Sequence, residues 1–190
     1  MAARDIMPFV SQQGGHTRML AFQMGAGTTA TGEDSAWREG NILLVDAAVG
    51  DINPHIDGTL DPSTGLVYIA AGSSEGLISN AVGPRNVTNP TAAQISDIMV
   101  PVWAFDVGVE FVTSNVYTAS DTELDLDSGF LIGSTADLWV DDAVTTVDGH
   151  NHGLNTAGTG FIITRKLDSQ GRDSLVSGAA TTRVCFMRNW

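Results

Sequence analysis

From Val102 to Val112 large apolar side chains fall on every second residue: Trp103, Phe105, Val107, Val109 and Phe111, with Ala104, Asp106, Gly108 and Glu110 between them. A period of two is that of a strand with one face in a core and the other in water. In a helix, Asp106 and Glu110 would share a face with the large side chains. The pattern therefore predicts one central strand whose core side runs from Trp103 to Phe111.

Shorter apolar runs on either side predict further strands. They are Met19 to Met24, Asn41 to Val45, Leu66 to Ala71 between glycines, Asn115 to Tyr117, Ala136 to Val140, and Thr182 to Met187. Phe161 to Leu167 and Arg172 to Val176 read as a hairpin joined by residues 168–171. Residues 25–32, small and polar, read as a loop, and Asn53-Pro54 with Asp57-Gly58 marks turns in 51–58. Residues 73–97 read mostly as loop, with one helical turn over Thr91 to Ile95, and 148–160 as a glycine-rich loop. Residues 1–18, interrupted by Pro8, Gly14 and Gly15, form an N-terminal arm; residues 19–190 form one β domain. About eight to ten short strands with regular turn signals predict an all-β, single-domain antiparallel barrel or sandwich with long loops. Strands do not alternate with long amphipathic helices, which argues against a parallel α/β fold. Leu43 to Val49 resembles Leu138 to Val144, but the flanking residues do not follow, so the likeness reads as chance.

Charge narrows the function classes. Nine Lys and Arg stand against 22 Asp and Glu, a net charge of −13. That opposes binding to nucleic acid and to anionic membranes. No Lys or Arg occurs between Arg85 and Arg165, an interval with eleven acids from Asp97 to Asp148. The sign then reverses with Arg165, Lys166, Arg172, Arg183 and Arg188, which could form a basic docking surface opposite an acidic outer one. Cys185 is the only cysteine, so the fold stands without an internal disulfide, and its apolar neighbours suggest a buried thiol. The N-terminus carries no apolar stretch of the secretory kind and no run reaches membrane-span length. The expectation is a soluble chain made in the cytoplasm, unless it is carried out on a particle.

Two clusters could carry chemistry. Asp121, Glu123, Asp125 and Asp127 recur at every second residue, which on a strand would place four carboxylates on one face, suited to Ca²⁺ or simply to solvent. The glycine and helical flanks of an EF-hand loop are missing. Asp148, His150 and His152 could chelate a transition metal with a third partner from His16 or His55, or be polar residues of an exposed loop. Gly-x-Ser-x-Gly, Walker and His-Glu-x-x-His motifs are absent. Trp37, Trp103, Trp139 and Trp190 could stack on sugars, although Trp103 and Trp139 lie in strand-like runs that favour core packing. The reading is therefore a non-enzyme with no catalytic residue, cofactor or metal assigned.

The layout as a whole, with Gly-Phe-Leu-Ile-Gly at 129–133 and Gly-Thr-Gly-Phe-Ile-Ile-Thr-Arg at 158–165, resembles head decoration (cement) proteins of tailed bacteriophages. The resemblance implies a structural virion protein on the outer capsid surface, made in the host cytoplasm. Its partners would be the major capsid protein and further copies of the chain, as a dimer or trimer. No catalytic residue comes with it. Candidate partner-binding residues are Ile6, Met7, Phe9 and Val10 on the arm, Arg165, Lys166 and Arg172 on the basic stretch, and the terminal Trp190. The alternatives are a β-sandwich binding module, fibre or carbohydrate-recognising, and a metal-assisted hydrolase using Asp148, His150 and His152.

Overall fold

A computed structural model describes the chain except for residues 1–5, 10–16, 33, 56–57, 61–65, 86–89, 107, 119–121, 130, 147–148 and 190; of residues 58–60, 141–146 and 149–151 it describes the backbone alone. The fold is all-β and combines a closed barrel with an open sheet; the pairing is not purely antiparallel as expected, because Gln23↔Asp51 and Leu154↔Val116 join parallel neighbours. Strands β2 (Met19–Met24), β3 (Ile42–Val45), β4 (Asp51–Pro54), β6 (Val67–Ala70) and β7 (Met99–Trp103) close a five-stranded barrel in the order β2-β4-β3-β6-β7. The other strands are β1 (Met7–Phe9), β5 (Gly58–Leu60), β8 (Glu110–Thr113), β9 (Val116–Tyr117), β10 (Thr135–Thr146), β11 (Gly149–Asn155), β12 (Phe161–Leu167) and β13 (Arg183–Arg188). They make an eight-stranded sheet in the order β1-β8-β13-β12-β10-β11-β9, with β5 added beside β10.

One wall of the barrel belongs to two cores. Along β3, β6 and β7 neighbouring residues point alternately into and out of the barrel. Leu43, Ala70 and Val102 pack inside with Met24, Ile52 and Val100, and Trp37, Ile78, Ile95 and Ile98 join the same cluster. Ile42, Val67 and Ile69 point outward onto Phe105, Phe111, Leu138, Val140, Leu154, Phe161 and Phe186 of the sheet side. Burial on both faces explains why β3 and β6 read as unbroken apolar runs rather than alternating ones.

The predicted central strand is two strands. β7 ends at Trp103 and β8 starts at Glu110, so 104–109 is the crossing from barrel to sheet. Ala104 N donates to Arg18 O, Val109 N donates to Asp106 O, and Gly108 has a positive φ of 73°. Most of the apolar positions still share one core. Phe105, Val109 and Phe111 are buried in the shared core and Trp103 packs against it, while Val107 lies outside the described residues. Alternation thus marked a common core, and Gly108 allowed the chain to change sheets within it.

Other expectations change as well. Residues 74–82, read as loop, form helix α1 (Ser74–Val82); Ser73 Oγ accepts from Gly76 N and Gly83 ends the helix at φ 83°. The helical turn near Thr91 is α2 (Ala92–Ser96), closed by a reciprocal cap between Thr91 and Gln94. The turn at 51–58 contains β4 and the glycine-rich loop contains β11, which pairs with β10 from Asp137↔Asn155 to Thr146↔Gly149. The expected hairpin closes only at its turn, through the antiparallel bridge Leu167↔Asp173 and the bond from Asp168 N to Arg172 O; 174–177 is then the one-turn helix α3 (Ser174–Ser177), and β12 pairs with β13. The two similar segments also diverge, since β3 stops at Val45 before a turn while β10 runs on through Val144. Part of the N-terminal arm is structural: β1 pairs with β8 through Met7↔Val112 and Phe9↔Glu110.

Candidate docking surface

The polar residues singled out in the sequence are largely committed to holding the chain together. His152 is 2% exposed, and its Nδ1 accepts from Ile42 N at 3.0 Å, stitching β11 to β3. An accepting Nδ1 belongs to a neutral ring whose proton sits on Nε2. Nδ1 is therefore spent on the Ile42 backbone N–H rather than offered to a metal. Asp148, His16 and the His150 side chain lie outside the described residues, and among the described residues no three His, Cys, Asp or Glu side chains converge as a metal site.

The acidic ladder is a backbone bridge followed by a turn rather than a strand. Its alternation of exposure survives, with Leu126 buried and Leu124 half-buried between exposed acids. Asp125 accepts from Ser128 Oγ at 2.6 Å and from Asp127 N at 3.0 Å, and these bonds hold its carboxyl below the usual range. Asp127 accepts Thr181 N on its carboxylate and the Lys166 ammonium on its carbonyl. Asp121 lies outside the described residues.

The proposed partner-binding residues find partners within the chain. Ile6 is fully buried in the shared core, and half-buried Met7 and Phe9 cover Val112, Leu167 and Cys185 on the far face of the sheet. The Arg165 guanidinium lies 4.9 Å from the centre of the Phe9 ring and bonds Glu110 at 2.6 Å. Lys166 is 4% exposed. Arg172 bonds Asp168 at 3.0 Å, and Asp168 is held below the usual carboxylate range first by Arg172 N–H, then by Gln170 N–H and the Arg172 side chain. Three of the basic groups expected to dock thus serve internal contacts. Val10 and Trp190 lie outside the described residues. Trp37 is buried and donates to Gly72 O, and Trp139 is buried with its ring 3.8 Å from Tyr117, so neither offers a sugar platform; Trp103 is half-buried.

A different surface stands out. Leu20, Phe22 and Met24 of β2, and Val100 and Val102 of β7, fill the barrel, so the odd residues face outward. Antiparallel pairing sets them in three rows: Met19↔Trp103, Ala21↔Pro101 and Gln23↔Met99. Met19 is 60% and Met99 52% exposed. Not one of the six carries a charge, on a protein of net charge −13. Met19, Ala21, Gln23 and Met99 are exposed, Pro101 and Trp103 are half-buried, and exposed Met side chains adapt to the partner they meet. Beyond Met99 the surface drops into an open cleft of about 470 Å³ between α1, α2 and β7. The Arg18–Asp106 pair, 3.1 Å apart, joins the residue before β2 to the crossing that follows β7. The sequence did carry a signal: 19–24 and 99–103 are uncharged on both faces, more than a barrel wall with one solvated side requires.

Cys185 is fully buried, and burial, with Glu110 nearby, pushes its thiol up to about 12. The thiolate is the reactive form, so the folded protein should resist alkylation at pH 8. Labelling with a thiol reagent is expected to follow global unfolding across a urea titration; fast labelling in buffer would contradict the burial.

No protein-family model, curated protein or solved structure matches the chain.

Proposed function

We propose that this is a structural virion protein, a capsid decoration protein that binds the outside of a tailed-phage head and ties neighbouring major capsid subunits together. The observation that carries the reading is the uncharged outer face of β2 and β7, with Met19 and Met99 exposed at its two ends. It is a sticking surface on an otherwise strongly acidic molecule. The sequence resemblance set out above points the same way.

The physics suits the role. Two β layers sharing one barrel wall make a stiff body that loses little freedom on docking. A patch three residues long on two strands gives a modest contact, well below the roughly 800 Å² per partner of a stable complex. Repeated over a lattice of identical sites, modest contacts still sum to a large stabilisation of the shell.

The double substitution Met19→Glu with Met99→Glu puts two charges on the face without touching the core. Stability should change by no more than about 0.5 kcal/mol per site. Affinity for heads should fall at least about tenfold, because two carboxylates would be desolvated on docking. Co-sedimentation of wild type and variant with heads stripped of the protein checks this; equal binding would remove the face from the contact.

A further inference from the structure

We propose that the cleft between α1, α2 and β7 receives an extended partner segment carrying a bulky apolar anchor beside a Lys or Arg. The inference takes the partner's identity from the reading above, but its binding chemistry stands apart. Buried Ile98 forms part of the cleft lining, Leu77 and Val82 are half-buried apolar lining from α1, and exposed Met99 joins the cleft to the uncharged face. Asp97, exposed, is the only charged side chain of the lining among the described residues. Asn80 and Gln94 complete the lining as neutral polar groups, so an occupant meets apolar side chains from α1 and β7 beside two amides and one carboxylate, on a protein whose overall field already attracts cations.

Size decides between a segment and a second copy. About 470 Å³ is the scale of a site for a small ligand or a few side chains. The cleft and the adjoining two-strand face together fall short of what a stable dimer buries. Both helices that border the cleft are capped at their starts. Ser73 Oγ holds Gly76 N at 3.1 Å at the start of α1, and Thr91 N donates to Gln94 Oε1 at 2.9 Å at the start of α2. Pre-set helices spare the ordering cost that a mobile groove would impose.

The test uses the full chain with methyl-labelled Leu, Val and Met, and acetylated, amidated hexapeptides with a Leu-Phe centre flanked by Arg, Gln or Glu. The Arg peptide should shift the Leu77, Val82 and Met99 methyl signals saturably, binding about two- to fivefold more tightly than the Glu peptide at low salt. Asp97→Asn should erase that preference and keep the apolar binding. Ala81→Trp, at an exposed position of the lining, should fill the cleft and abolish binding without disturbing the core. Absence of saturable shifts with all three peptides, or equal affinity for Arg and Glu flanks, would overturn the proposal. So would a dimer in sedimentation velocity that Ala81→Trp dissociates, since that would give the cleft to a second copy. Peptide binding that survives while head binding fails would strike the capsid reading alone.

Discussion

Truncating Phe111 to Ala is expected to lower the unfolding free energy by about 3–5 kcal/mol, the range for a large aromatic removed from a core that cannot collapse around the gap. The ring is fully buried at the level where the barrel wall meets the sheet. Phe105 and Phe186 lie 4.6 Å and 6.0 Å away, centre to centre, and Phe161 closes the cluster 5.2 Å from Phe186. Ile42, Val67 and Ile69 belong to the same cluster from the barrel side. Two hydrogen-bonded layers hold their spacing, so relaxation into the gap is small. Domains are stable by only about 5–15 kcal/mol, so the variant should show a sharply lower urea midpoint with an unchanged slope. A loss below about 1 kcal/mol would mean that the two layers do not share this core.

Gly153→Ala is expected to cost about 1–3 kcal/mol, towards the upper end, by overpacking. Gly153 sits in β11 opposite Trp139, and a Cβ there would run into the Asn115 carbonyl and the Asn115 side chain. The obstacle is backbone and cannot rotate away. It is also tied down: Leu154 N donates to Asn115 O at 3.0 Å, and Asn115 Nδ2 donates to His152 O at 2.9 Å. Only glycine lets the lead into β9 lie this close to β11. Gly27→Ala is the control, because a Cβ there meets nothing within 4 Å, and it should change stability by less than about 0.5 kcal/mol. Thermal melts of the two variants check the contrast; similar melting temperatures would contradict the close approach.

What could be read from the sequence follows from where each signal resides. Met19–Met24, Ile42–Val45, Val67–Ala70 and Phe161–Leu167 announce themselves because their own side chains fill a core. β11 does not. Gly-His-Asn-His-Gly-Leu-Asn has the composition of a loop, and it is a strand because β10 pairs with it. His152 looked like an exposed loop residue or a ligand; its role depends on Ile42 N, 110 residues away. α1 was hidden by Gly76 and by a polar run with one large fully buried side chain, Ile78, although Ser73 in front of it is a good cap. The break at 104–109 was foreshadowed by Gly108, but five alternating apolar positions outweighed one glycine.

The charge contacts depend on the fold in the same way. Arg165 and Glu110 are 55 residues apart in sequence and form an ion pair only because β12, β13 and β8 are neighbours in the sheet. A count of basic residues near the C-terminus could not reveal that Arg165 and Lys166 make contacts inside the fold, while Arg172 pairs locally with Asp168 and keeps its side chain largely exposed. The uncharged face left a trace in the sequence, two runs without charge at 19–24 and 99–103, but joining them into one face needs the register of β2 on β7 and the knowledge of which side fills the barrel.

The measurement that bears most directly on the account is a binding isotherm of the purified protein on stripped phage heads, at low salt and near 1 M salt. A contact made by an uncharged face should saturate at a fixed copy number per head and weaken little between the two, because few ion pairs are there to be screened. Binding that never saturates, or that collapses as salt rises, would contradict it and return the contact to the charged surface.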